Sequence, residues 1–188
     1  MLASVGEIGY PGTRVEDVLR RSGAPRTRFY QLFSDKEECF LTAYEAVSEE
    51  LTDELLATAK GAEECIDALR VALGQFLDFV AAKPAIAAAL LVEARAAGEP
   101  VVAVQQKIME RLTRALEGAR RQPNSIHTGP SSTAALMIGA IENMVRGLLV
   151  SGEAERAPAL LGDLLYVLVL TYFGEDAAFA AMDAAKDP

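Results

Sequence analysis

Apolar side chains return every three or four residues along most of the chain. Val15, Val18 and Leu19 share one face of a short segment, and Phe40, Tyr44, Val47, Leu51 and Leu55 line a much longer one. The same spacing recurs in Ile66, Leu69, Leu73, Phe76, Leu77 and Val80, and again in Val101, Val104, Ile108, Leu112 and Leu116. Such a repeat follows the 3.6-residue period of an amphipathic helix, whereas a half-buried strand needs strict alternation, which no stretch sustains. The pattern predicts an all-α chain.

Breakers divide these runs. Ser22-Gly23-Ala24 separates the first short helix from one expected over 25–33, and Pro25 can open that helix because its missing N–H has no partner there anyway. Thr13-Arg14-Val15-Glu16 and Ser34-Asp35-Lys36-Glu37 both read as capping boxes, the second starting a helix that Gly61 ends. Lys83-Pro84 precedes a nearly uncharged helix over 85–92, and Gly98-Glu99-Pro100 precedes one that should run to Gln122-Pro123-Asn124. A loop over 123–132, two strongly apolar helices over 133–150 and 159–173, and a weak alanine-rich helix complete the chain.

Half of the 188 residues, 51%, are hydrophobic and 24% are charged, enough apolar surface for one sizeable core. The densest apolar run, Leu164 to Phe173, falls short of the roughly 20 residues of a membrane-spanning helix, so the chain is expected to be soluble. Two cysteines cannot form a disulfide scaffold, and the N-terminus lacks a charged-then-apolar leader, which points to a cytoplasmic protein. The net charge of -9 argues against nucleic acid until its distribution is seen. Residues 1–36 hold six bases and four acids, a balance of +2, while the remainder holds 12 bases and 23 acids. This asymmetry suggests an interaction module, over 1–46, joined to a different body, over 47–188.

Two short helices joined by a tight glycine-containing turn make a helix-turn-helix, whose second helix can enter a DNA major groove. With Phe29 and Phe33 turned inward, Thr27 and Gln31 face out, flanked by Arg26, Arg28 and Tyr30. The motifs Gly9-Tyr10-Pro11-Gly12-Thr13, Val15-Glu16-Asp17-Val18, Ser22-Gly23-Ala24 and Phe29-Tyr30-Gln31-Leu32-Phe33-Ser34-Asp35-Lys36-Glu37 together resemble the DNA-binding domain of TetR-family transcriptional regulators. The match spans about residues 8–44. Only eight residues precede Gly9, so most of that family's first helix is expected to be missing. The resemblance implies that Arg26, Thr27, Tyr30 and Gln31 read the groove, and that Thr13 and Lys36 grip phosphates. Both of these lie near helix starts, where free amides and the helix dipole favour an anion. Pro25 stands where the family commonly has a capping serine, and Arg28 adds a cation to the reading face. The resemblance also implies a helical body that binds an effector and dimerises through its last two long helices.

In that body, Phe76, Phe79, Met137, Met144 and Tyr166 are candidates to line a cavity, with Glu93, Arg95, Gln105 and Glu142 as polar contributors. Leu160, Leu161, Leu164, Leu165, Val167, Leu168 and Leu170 leave the last long helix little polar face, so a second copy is expected to cover helices 133–150 and 159–173. No metal site is expected around His127, the single histidine, and Cys39 and Cys65 read as buried free thiols. The acidic pairs Glu63-Glu64 and Glu175-Asp176 suit helix starts better than catalysis. No catalytic constellation or cofactor motif is present in the pattern, so the expected function is a ligand-responsive DNA-binding regulator, a repressor released by a small apolar effector. The alternative is a small-molecule-binding or scaffold dimer with a degenerate DNA-binding module.

Overall fold

The computed structural model describes residues 1–62 and 64–185, and among these every regular element is helical. Three short helices, α1 (Leu2–Ile8), α2 (Val15–Ser22) and α3 (Arg26–Leu32), precede the long α4 (Lys36–Gly61). The body continues with α5 (Cys65–Ala82), α6 (Pro84–Leu91), α7 (Glu99–Leu116), α8 (Thr133–Ser151), α9 (Leu161–Phe173) and α10 (Glu175–Ala184). Glu63 lies outside the described residues, while Glu64 is the N-cap of α5.

Helix ends differ from the pattern where backbone chemistry intervenes. Pro25 is the N-cap of α3 rather than its first turn. The Thr13 hydroxyl does not cap α2; Arg14 occupies the N-cap, and the Asp17 carboxylate accepts its N–H at 2.9 Å. At α4 the box is displaced by one residue: Asp35 accepts from the Glu38 N–H at 2.8 Å, and Glu38 accepts from the Ser34 N–H at 2.6 Å. The shorter aspartate reaches N3 directly, leaving Glu37 free to meet Tyr10. Helix α7 stops at Leu116, after which Gly118 leads into a 3-10 turn that buries Ala119. Before α9, the segment Ala154–Leu160 is 3-10 because Pro158 lacks the N–H that an α turn would use.

The seven residues of α1 lie directly before Gly9. Helix α1 buries Leu2 and Val5 against α6, and Gly6 makes the approach possible, since a Cβ there would lie 1.7 Å from the Ala85 carbonyl oxygen. Leu2, Val5, Tyr10, Phe40 and Tyr44 share one apolar cluster with Ala89, Leu90, Val101 and Val104, which joins the N-terminal module to the body. A second cluster holds Leu73, Leu77, Val80, Val145, Leu164, Leu168 and Tyr172. The expectation that no apolar segment reaches spanning length is corrected here: Thr133–Ser151 and Ala154–Phe173 are both long and apolar enough to cross a membrane by composition. Local runs of apolar letters hid this because Glu142, Arg146 and Asp163 interrupt them. In this fold the two segments contribute Ala134, Val145, Ala154, Ala157, Leu164, Leu168 and Tyr172 to the core.

Candidate nucleic-acid interface and ligand cavity

Helix α3 is held by one buried anchor. Phe29 is enclosed, with the rings of Tyr30 and Phe33 at 5.2 and 5.5 Å, and this orientation leaves Arg26, Thr27, Arg28, Tyr30 and Gln31 exposed together. The turn before it relies on Gly23, whose φ of 68° is the left-handed conformation that ends α2. Arg26 bonds Glu16 at 2.5 Å and lies 5.4 Å from the Tyr30 ring centre. Hydrogen bonding from its own backbone N–H, followed by Arg26, holds the Glu16 carboxyl below the ordinary range. Arg28 contacts Gln31 at 3.4 Å. The face therefore presents two cations and several hydrogen-bonding groups, with one cation already tied to an acid.

The two expected phosphate grips are placed less simply. Thr13 is 1% exposed; its hydroxyl donates to the Gly9 carbonyl at 2.8 Å and its amide donates to the same oxygen at 3.1 Å. Its side chain ties the end of α1 to the start of α2 and has no path to a phosphate. Lys36 is half-buried, donates to the Tyr10 carbonyl at 3.1 Å and lies 4.3 Å from the centre of the Tyr10 ring. Tyr10 in turn is a junction. Its N–H donates to the Glu93 carboxylate at 2.7 Å, and burial, reinforced by Glu37, pushes its phenol up to about 12.

In the body, a cavity of about 550 Å³ lies among α4, α5, α7 and α8. Leu51, Leu55, Leu69, Ile108, Leu112 and Ile141 supply much of its wall. Its polar groups include the Tyr44 hydroxyl, which donates to the Leu90 carbonyl at 3.4 Å; Ser48, buried with an unpartnered hydroxyl; Thr52, which donates to the Ser48 carbonyl at 2.7 Å; the Gln105–Glu142 contact; and Lys60, Glu64 and Gln122. Burial pushes the Tyr44 phenol up to about 12, so it is neutral in the physiological range. Gln105 donates to Glu142 at 3.0 Å and Arg146 donates to the same oxygen at 2.6 Å, so the one carboxylate on the α8 wall is already neutralised.

Of the expected cavity residues, Phe76, Gln105 and Glu142 line this space. The others do not. Phe79 packs between the two main clusters, Met137 packs on the body core, Met144 is exposed, and Tyr166 stacks against Phe179 at 5.2 Å. Glu93 serves Tyr10 instead, and Arg95 lies on an outer groove between α7 and α8. The α4 wall, Tyr44, Ser48 and Thr52, was not anticipated, although two small hydroxyl residues at i, i+4 within an apolar stripe are an available signal. Burial pushes the Cys39 and Cys65 thiols up, keeping them protonated near neutral pH. Among the described residues no three His, Cys, Asp or Glu side chains converge as a metal site.

No family model and no curated protein matches the sequence. Solved structures do. The fatty acid degradation regulator FadR from Bacillus halodurans superposes with a TM-score of 0.77 at 14% identity, covering 89% of this chain and 93% of its own. FadR from Bacillus subtilis, solved with stearoyl-CoA, gives 0.78 at 15% identity over 90% and 94%. Reduced Escherichia coli NemR gives 0.69 at 18% identity over 89% and 91%. The likeness extends over nearly the whole length of both chains in each case, and this chain has the fold of the TetR-family transcriptional regulators.

Proposed function

We propose that the protein is a cytoplasmic, ligand-responsive DNA-binding transcriptional regulator, a repressor that acts as a homodimer and is released from its operator by a largely apolar effector. The observation that carries this reading is the course of α4. Its first turns carry Lys36 and Phe40 beside Tyr10, and its later turns carry Ser48, Leu51, Thr52 and Leu55 on the cavity wall. One rigid element therefore touches both the module that would hold DNA and the space that would hold a ligand. Filling the cavity moves α4 and, with it, the spacing of two recognition helices in a dimer.

Arg26, Thr27, Tyr30 and Gln31 are the base-reading residues in this proposal, with Arg28 beside them and Lys36 contributing charge near the backbone. A second copy covers Leu136 and Val150 on α8 and Val167 and Leu170 on α9, all exposed in the single chain; Val167 and Leu170 are one turn apart, and the 14 residues between Leu136 and Val150 bring them back to nearly the same side of α8. The Bacillus subtilis structure holds stearoyl-CoA; an aliphatic lining of the kind seen here suits a ligand whose bulk is also hydrocarbon.

Selection of bound sequences from a random duplex pool tests the regulator reading. Enrichment of a two-fold symmetric site, weakening steeply with salt, is the expected result. Recovery of no preferred sequence at low salt overturns it.

A further inference from the structure

Two spaces in the body share a wall. The apolar cavity and the outer groove between α7 and α8 have Gln105, Met109 and Glu142 in common. Two of the three shared residues are tied to each other by a side-chain contact, Gln105 Nε2 to Glu142 Oε1 at 3.0 Å, with Met109 as the third. Gln105 belongs to α7 and Glu142 to α8, so rotating these two side chains joins the two spaces without unwinding either helix.

The two sides of this contact differ in chemistry. Inside, the wall is mainly aliphatic, with Leu51, Leu112 and Ile141 around a few hydroxyls, and Lys60 and Glu64, opposite in charge, lie together at the α4–α5 end. Outside, the groove carries Arg95 and Arg114 against Glu110. Arg95 has no ion pair among the described residues, and the hydrogen bond of Arg114 goes to the Glu110 carbonyl, not to a carboxylate. Glu142 adds little negative field because Arg146 holds it at 2.6 Å. The groove is therefore left with an excess of positive charge beside an opening into an apolar chamber.

We propose that Gln105 and Glu142 form a side-chain gate, and that the effector is an amphiphile with its hydrocarbon chain in the cavity and its anionic head in the groove on Arg95 and Arg114. This rests on the cavity being the effector site of the proposed regulator. A wholly apolar ligand gains nothing from the groove, and a wholly polar one gains nothing from the cavity; only a molecule with both parts uses the gate and both sides of it. A cationic head is disfavoured by the two arginines.

Three probes of matched chain length separate the possibilities: dodecanoate, dodecanol and dodecyl-ammonium, each kept below its micelle concentration and titrated calorimetrically into the full chain. Dodecanoate should bind about fivefold more tightly than dodecanol, as expected for exposed charge pairs, and dodecyl-ammonium most weakly. The double substitution Arg95→Ser, Arg114→Ser should abolish the preference for dodecanoate and leave dodecanol binding unchanged. Gln105→Ala should accelerate association measured by stopped flow, while its melting temperature reports that the fold is kept. Equal affinity for the acid and the alcohol, or a preference for the ammonium, overturns the head-group assignment, and an unchanged association rate in Gln105→Ala overturns the gate. These readouts involve no DNA, so their failure is distinct from failure to select an operator.

Discussion

The N-terminal module and the body are built from helices of the same kind, yet their functional residues are organised differently. Around the recognition helix of the module the contacts are short in sequence, Arg26 to Glu16 and Arg28 to Gln31, and even its longest, Lys36 to Tyr10 and Tyr10 to Glu37, span 26 and 27 positions. In the body they are long: Gln105 to Glu142 across 37 positions, and Tyr10 to Glu93 across 83 where the two regions meet. A site made of near neighbours keeps its geometry as long as its own helices form. One made of distant residues exists only when the packing around it is correct, and a cavity can then respond to what fills it.

The largest expected effect tests which apolar residues of α9 are core. Leu168 is 4% exposed and belongs to the body cluster, whereas Leu170 is 38% exposed. Leu168→Glu therefore buries a carboxylate inside one chain rather than at an interface, costs roughly 4 kcal/mol or more, and should appear as loss of cooperative unfolding. Leu170→Glu should keep the fold and shift sedimentation toward monomer. The same outcome for both would erase the distinction between core and covered face.

Next in size is the junction. Any side chain at position 6 must push α1 from α6, and Gly6→Leu should cost about 3 kcal/mol, the range of overpacking. DNA binding is expected to fall at least tenfold, while thermal stabilisation by a cavity ligand persists. If ligand stabilisation disappears as well, the module and the body are one cooperative unit.

Within the module, Gln31→Ala should change which base is preferred and cost about 1–3 kcal/mol against the selected site. Lys36→Ala should weaken all sequences alike and reduce the salt slope by about one. Because Lys36 also holds Tyr10, a small drop in melting temperature should accompany it. Altered base preference in Lys36→Ala would place Lys36 on the reading face.

The smallest effect concerns Glu16. Its folded-state pKa is lowered, so its stabilisation is present above the ordinary carboxylate value and is lost as pH falls through the folded one. Urea midpoints of wild type and Glu16→Gln should differ slightly at neutral pH and converge in acid. The same substitution frees Arg26, and non-specific DNA affinity at low salt should rise about twofold to threefold. A midpoint difference that grows in acid would contradict the assigned pair.

Helix type and most helix limits were legible because periodicity and breakers act within a few residues. The exposed face of α3 was legible for the same reason: once Phe29 points inward, a rigid helix dictates where Thr27 and Gln31 point. Caps were off by one residue at Asp35 and Glu38, since the pattern cannot distinguish which of two adjacent acids reaches an amide. Thr13 was misplaced for a local reason. Its hydroxyl turns back onto the Gly9 carbonyl four residues earlier, which consumes a group that the pattern left free.

The sequence by itself determined an all-helical chain, a helix-turn-helix at its start and a long α4 running from it into an apolar body. These follow from local steric and hydrogen-bonding preferences. Which of Phe76, Phe79, Met137, Met144 and Tyr166 would face a cavity was decided only by the tertiary structure, and of these Phe76 alone does. The reason is physical. Amphipathic α2 and α7 announce their buried side through the contrast between their faces, but α6, α8 and α9 are apolar nearly all round, so several orientations hide similar apolar area. Packing against neighbours far along the chain then selects one orientation, and with it where the helices meet and where they leave space.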